Sequence, residues 1–365
     1  MAQAPEDARP VVLAFYLPQF HPIPENDQWW EPGFTEWTNV AAAKPLFPRH
    51  FQPHLPGELG FYDLRVPEVR HRQAALAQEY GCDGFAYWHY WFGGRRLLER
   101  PFGEALADRS FTQRFCLAWA NESWTGVWHG APGRVLMEQT YPGEVDNAAH
   151  FEAVLPAFSD PRYICVDGRP LFYIRRSELL KEPLAFIEQW RQLASKAGLP
   201  GIYFVAEITD GRQYAGRIDE GFDAVCYDHF PWRQGSLVAK VRGISRRLIG
   251  GPAVYHYERA VASLPSKISD RGVIAPGTVV HPCVYPSFDN TPRSGRRGMV
   301  IVGTSPSAFR EQVESALPLV RAHNGAERLL FVKSWNEWAE GNHLEPDRRD
   351  GRAWLEALKQ GLAAW

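Results

Sequence analysis

The stretch LLFVKSWNEWAEG, Leu329–Gly341, sets a short apolar run directly against a Trp-rich turn that carries two carboxylates. Leu329–Ser334 has the length and composition of a buried strand. Trp335-Asn336-Glu337-Trp338-Ala339-Glu340 follows without a spacer. In a (β/α)8 TIM barrel, reactive groups gather at the C-terminal ends of the strands, so this stretch reads as the eighth strand and its functional rim. Upstream the same unit recurs at Val11–Leu17, Gly84–Trp88, Phe115–Trp119, Leu171–Ile174, Ile202–Ala206, Ala224–Tyr227 and Val279–Tyr285. Helical spacing separates most of these runs, at Pro67–Tyr80, Phe151–Phe158, Leu179–Ala197, Ser305–Ala322 and Ala353–Ala364. Pro67 at a first turn and Gly81 past a last turn are start and stop signals. Strands alternating with helices predict an α/β chain folded as a (β/α)8 barrel, with an open doubly wound sheet as the competing arrangement. Residues 11–365 are expected to form one catalytic domain with long βα loops, and residues 1–10 a flexible N-terminus.

Bulk properties narrow the function classes. The 365 residues carry 40 Lys and Arg against 42 Asp and Glu, a balance that gives no electrostatic case for nucleic acid or a membrane surface. A basic run at Lys240, Arg242, Arg246 and Arg247 reads as a solvated helix face. The five cysteines are widely spaced, with no C-x-x-C pair, and behave as small hydrophobes rather than a disulfide framework. The start MAQAPEDARP has no apolar signal region, and no run reaches the ~18 apolar residues of a membrane span, so a soluble, cytoplasmic chain is expected. The unusual figure is the aromatic content, 14 Trp, 14 Tyr and 21 Phe. Rings fill large cores, and they also stack on the apolar faces of pyranoses. Oligomeric state is not readable.

Polar groups fall just past most of the predicted strands, which a purely structural barrel explains poorly because unpaired buried charge is costly. Glu337 and Glu340 are the sharpest pair. Three residues apart, they share a face if the chain turns helically there. Each then raises the other's proton affinity, and desolvation adds to it, which permits the acid and base pairing of glycoside hydrolysis. The elevated proton affinity is expected at Glu340. No metal or cofactor is expected. His50 and His54 have a helical ligand spacing, but Pro53 lies between them, and His343 and Glu345 complete no zinc pattern. The segment Gly93-Gly94-Arg95-Arg96 reads as a turn rather than a phosphate loop.

The segments FYLPQFHPIPENDQWWEPGFTEW (Phe15–Trp37), KPLFPRHFQPHLPGELGFYDL (Lys44–Leu64), WANESW (Trp119–Trp124) and SWNEWAEGNHLEP (Ser334–Pro346) resemble the WbsX-like proteins of bacterial polysaccharide clusters. That family is related to glycoside hydrolase family 99, the retaining endo-α-mannosidases with a (β/α)8 fold. The resemblance implies Glu337 as the base that deprotonates the sugar 2-hydroxyl. That oxygen attacks C1 and gives a 1,2-anhydro sugar. It implies Glu340 as the acid that protonates the leaving oxygen and then activates water. Ala339 departs from family 99, which usually carries His there, so mannose specificity does not transfer with the carboxylates.

The remaining site residues are expected from their places at strand ends. Asn121 and Glu122 are expected to hold sugar hydroxyls, and Trp88 and Trp124 to stack on sugar faces. Tyr90, Asp228, His229 and Tyr285 are expected to line subsites, with Gln19 and His21 on the first loop and Trp335, Asn336 and Trp338 around the Glu pair. The expected partner is an oligo- or polysaccharide, and the expected activity hydrolysis of α-linked mannose- or deoxyhexose-containing polysaccharide. A glycosyltransferase of surface-polysaccharide synthesis and a non-catalytic sugar-binding barrel are the alternatives.

Overall fold

Each of the eight apolar runs is a strand of one closed barrel in the computed structural model, which describes residues 9–126, 134–210, 213–228, 250–258, 279–323 and 325–365. The strands are β1 (Val11–Tyr16), β2 (Gly84–Phe92), β3 (Arg114–Trp119), β4 (Arg169–Ile174), β5 (Tyr203–Ile208), β6 (Ala224–Tyr227), β7 (Val280–Val284) and β8 (Leu329–Val332). Every strand pairs in parallel with the next. β8 returns to β1 in the register Val11↔Leu329 to Ala14↔Val332, so the ring is closed. Closure leaves none of these strands as an exposed edge.

Among the described residues the α-helices are α1 (Pro24–Trp29), α2 (Glu36–Ala42), α3 (Pro67–Glu79), α4 (Arg100–Ala107), α5 (Glu144–Phe158), α6 (Pro183–Lys196), α7 (Tyr214–Asp219), α8 (Thr291–Ser294), α9 (Pro306–Arg321) and α10 (Ala353–Leu362). α3 ends as its sequence requires. Gly81 takes φ +85°, the Cys82 N–H reaches the Ala77 carbonyl at 2.8 Å and the Gly81 N–H reaches Gln78 at 3.3 Å, a Schellman closure. α6 starts at Pro183, four residues later than its apolar spacing suggests, because proline fits the first turn and not the interior. α5 starts at Glu144, seven residues before the readable stripe, since its first turns are polar and largely solvated. β2 runs on to Phe92 and turns back at Gly93-Gly94, both with positive φ, to pair with Arg95–Leu97. The turn expected at this point is therefore a hairpin.

Ahead of β1, the Arg9 guanidinium meets Asp83 at 2.6 Å. The rest of the expected N-terminal segment and the basic run from Lys240 to Arg247 lie outside the described residues. No helix among the described residues is long and apolar enough to cross a membrane. All five cysteines are free, and four are buried.

Aromatic side chains fill both layers. Inside the barrel, Phe15 stacks on Trp88 at 4.6 Å and meets Tyr173 and Phe331 at 5.0 and 5.6 Å. Outside, Trp190 of α6 is fully buried against Phe172 at 4.7 Å, Phe186 at 4.8 Å and His150 at 4.9 Å. Its indole N–H is satisfied by the Asn147 carbonyl at 3.0 Å. Trp190→Ala is expected to lower unfolding free energy by about 3–5 kcal/mol, through lost burial and a cavity between α5, α6 and β4. Urea titration checks this, and a loss under about 1 kcal/mol would contradict this packing role.

Candidate active site

Side chains along a barrel strand alternate between the interior and the helix layer. Inward Phe15, Trp88, Ala118, Tyr173 and Phe331 therefore carry Leu17, Tyr90, Ala120, Arg175 and Lys333 to the C-terminal rim. All five line a cleft of about 330 Å³. The loop after β1 supplies another wall, Asn26, Trp29, Trp30, Phe34, Glu36 and Asn39. That loop is shaped by Pro24 at the start of α1 and by a capping box at α2, where the Thr35 and Thr38 side chains reciprocally satisfy backbone N–H groups.

Glu337 and Glu340 close the floor. Asn336–Glu337 pairs antiparallel with Asn342–His343, and Trp338–Glu340 forms a 3-10 turn between them. Residues three apart eclipse in such a turn, which puts both Glu on one side. Gly341 ends the turn at φ +55°, where a Cβ would lie 3.0 Å from the Asp289 Cβ and 3.2 Å from its backbone nitrogen. The position needs glycine both for its dihedral and for this approach.

One guanidinium joins the acidic groups. Arg293 donates from Nη1 to Glu340 at 2.7 Å and from Nη2 to Glu337 at 3.2 Å, and its Nη2 lies 3.0 Å from Glu36. The other Glu337 oxygen accepts the Trp88 indole N–H at 2.9 Å. Arg293 is held by α8, whose start is tied down by Asp289. The Asp289 carboxylate accepts the Thr291 N–H at 2.9 Å and the Thr291 hydroxyl at 2.6 Å, and it meets His50 at 2.6 Å and Gln52 at 2.7 Å.

Burial pushes the Glu337 carboxyl up to about 7; neighbouring Glu340 pushes it the same way, and Arg293 opposes both. Burial likewise raises Glu36 despite Arg293. For Arg293, burial acts downward, but the fields of Glu36, Glu340 and Glu337 overcome it and hold the cation well above its ordinary value. Beneath the turn, Glu345 is also pushed up to about 7 by burial, although Trp338, Tyr62 and Gln73 donate to it. Of the two carboxyls at the cleft floor, Glu337 is the one that burial raises.

The structure brings Gln19, Trp88, Tyr90, Glu122, Trp124, Glu337 and Glu340 to the cleft. Trp88 is not an open stacking platform there, since Phe15 covers its ring and the Arg175 guanidinium lies 5.4 Å from the ring centroid. Glu122 is ion-paired with Arg175 at 2.6 Å and Arg176 at 3.0 Å. Other expected residues do not line the cleft. Asn121 is buried and braces the backbone of Arg176. Asn336 is buried and bonds both backbone groups of Leu17, tying β8 to β1. Trp335 packs on Phe85, and Trp338 lies between Trp37 and His343. His21 is buried in the first loop, and Tyr285 is buried in a satellite cluster with Tyr257 and Phe288. Asp228 is buried and paired with the cleft residue Lys333 at 2.8 Å. His229 lies outside the described residues. In each described case the side chain is buried.

Sequence reasoning missed Arg175, Lys333, Glu36 and Arg293. Strand parity alone locates the first two, each two residues past an inward ring. Arg293 sits in the loop after β7 and pairs across 44 and 47 residues, a distance that carries no local signal.

The arrangement makes Arg293 testable. Without it, the raised proton affinity of Glu36 and Glu337 in the folded state goes unopposed beside Glu340. Such groups cost nothing below their unfolded pKa, where both states are protonated, and most above their folded pKa. Arg293→Met is therefore expected to cost about 3–5 kcal/mol at pH 8 and to recover much of that loss at pH 5. Urea titrations at both pH values check it, and an equal loss at both would contradict the electrostatic account.

Comparisons with known proteins agree with this architecture. Two proteins called "Uncharacterized protein WxcX", from Xanthomonas campestris pv. campestris strains B100 and ATCC 33913, are each 39% identical over 362 residues, 98% of this chain. The chain spans about half the length of these relatives (50% of each). A solved structure described as a glycoside hydrolase-like protein superposes with TM-score 0.62 at 14% identity, covering 99% of this chain and 96% of that one. A family 99 endo-α-mannosidase from Bacteroides thetaiotaomicron, solved with bis-tris-propane, superposes with TM-score 0.60 at 14% identity, covering 97% and 96%. At these identities the superpositions establish a shared fold. A family model described as "Glycosyltransferase WbsX" matches residues 12–358, and the chain belongs to that family.

Proposed function

We propose that this protein is a retaining glycoside hydrolase acting on the α-glycosidic bonds of a mannose- or deoxyhexose-containing bacterial polysaccharide. The observation that carries this reading is the carboxylate pair on one guanidinium. Glu337, buried and raised to about 7, and Glu340 share Arg293 in a cleft bordered by Trp29, Trp30 and Trp124. A carboxylate with that proton affinity is a base matched to neutral pH. Glu337 takes the proton from the 2-hydroxyl, and O2 attacks C1 as the bond from C1 to the leaving oxygen breaks. Glu340 gives its proton to that leaving oxygen. Water then opens the 1,2-anhydro sugar at C1 while Glu340 takes its proton and Glu337 returns one to O2. Two displacements at C1 preserve the anomeric configuration. Arg293 keeps both carboxyls in place and limits how strongly Glu337 binds its proton. Ala339 is buried and lines no part of the cleft, so the choice of sugar falls to the loop residues after β1 and β3.

The family's description as a glycosyltransferase favours a second reading, transfer of a sugar from a nucleotide donor during surface-polysaccharide synthesis. A non-catalytic sugar-binding barrel is a third. Aryl α-mannoside, α-rhamnoside and α-fucoside, with the wild type, Glu337→Gln and Glu340→Gln, separate these readings. Hydrolysis by the wild type, lowered about 10²–10⁴-fold in kcat/KM by each substitution, is expected. No hydrolysis, with a rise in Tm on adding a nucleotide sugar, would favour the transferase. Because Glu337 acts ionised, kcat/KM is also expected to fall as pH drops through about 7. A profile flat from pH 5 to 8 would contradict that role.

A further inference from the structure

Three metal-ligating side chains converge where the loop after β1 meets the turn after β8. His54 Nδ1 lies 3.3 Å from His343 Nε2, and that nitrogen lies 3.8 Å from Asp347 Oδ2. One donor atom from each residue falls within 4.8 Å of the others. Ligands held about 2.0–2.1 Å from a tetrahedral ion sit about 3.3–3.4 Å apart, so the His–His edge already has the length that a shared ion imposes. The two rings stand nearly perpendicular, at 89°, and meet by their edges rather than stacking.

Each of two donors is oriented by a second contact. His343 Nδ1 lies 3.0 Å from the Glu345 carbonyl oxygen. A carbonyl oxygen only accepts, so Nδ1 carries the proton and Nε2 presents a lone pair. Asp347 Oδ1 accepts the backbone N–H groups of Arg349 and Asp350, at 2.9 and 2.6 Å, which turns Oδ2 toward the histidines. The loops are joined at this point by the Gly57 N–H on the Pro346 carbonyl at 2.8 Å, so the donors do not depend on the ion to meet. They face a separate cleft of about 160 Å³ that shares no lining residue with the carboxylate cleft and leaves room for a bound water.

We propose that His54, His343 and Asp347 bind a divalent transition metal of the zinc class, which staples the first βα loop to the catalytic turn. Two imidazoles and one carboxylate suit zinc and its neighbours, whereas calcium and magnesium prefer oxygen ligands. The staple reaches the turn through the His343 ring, which stacks at 3.7 Å on Trp338, the residue that follows Glu337. Its ion is structural and takes no part in bond cleavage. Sequence spacing concealed the site. His50 and His54, the apparent ligand pair, diverge, with His50 on Asp289 and His54 on a histidine 289 residues away.

The test is calorimetric titration of the EDTA-treated protein with Zn2+, alongside Mg2+ and Ca2+, with Tm read before and after. Uptake of one equivalent of Zn2+ with a rise in Tm, and none of Mg2+ or Ca2+, is expected. His54→Ala and Asp347→Asn are each expected to weaken Zn2+ binding at least about 100-fold while far-UV circular dichroism stays unchanged. No stoichiometric uptake by the wild type, or uptake of undiminished affinity in both variants, would overturn the proposal and leave His54 and His343 as a hydrogen-bonded pair.

Discussion

Glu36, Glu337 and Glu340 crowd together where little water reaches, and the Arg293 guanidinium between them makes that crowding tolerable. Carboxylates crowded this closely, two of them buried, would force the loops apart without a cation. Much of the nearby structure follows from keeping that cation in place. Asp289 anchors the short helix that carries Arg293 and fixes the Glu340 carbonyl through its own N–H. Gly341 lets the Glu turn approach Asp289, and the capped start of α2 delivers Glu36. Elements from the first, seventh and eighth strand ends thus meet at one side chain.

The same region carries an electrostatic cost. An ionised Glu337 is costly at neutral pH, because burial and Glu340 both favour its protonated form. Glu345, in the layer below, adds a second buried carboxyl, held by donors from Trp338, Tyr62 and Gln73. These contacts lock the Trp338 indole and so the turn on which both cleft carboxyls ride. A site built on strand ends and braced from beneath holds its geometry better than one on unsupported loops.

The barrel was readable because each strand is a short apolar run between turn signals, and closure demands nothing that the runs do not already show. Helix starts were less readable. The first turns of α5 are polar and solvated, and those of α1 and α2 are hidden in a Pro-rich loop. Within the site, Glu337 and Glu340 stood out because the carboxylates end a strand. Their neighbours Trp335, Asn336 and Trp338 were drawn in by adjacency, yet they turn into the packing and tie β8 to β1 and to the loops. Arg175 and Lys333 follow from strand parity carried two residues past the visible run. Arg293 depends on a pairing between separate loops, which only folding reveals.

In the proposed mechanism Glu337 works on the sugar's own 2-hydroxyl. Initial rates on the aryl α-glycoside that the enzyme turns over, compared with its 2-deoxy counterpart, test it most directly. Removing the 2-hydroxyl makes a glycoside intrinsically easier to cleave, so an ordinary oxocarbenium route would tolerate the change. Turnover of the parent, and none of the 2-deoxy compound above its spontaneous rate, is expected. Enzymatic cleavage of the 2-deoxy compound at a comparable or greater rate would contradict it.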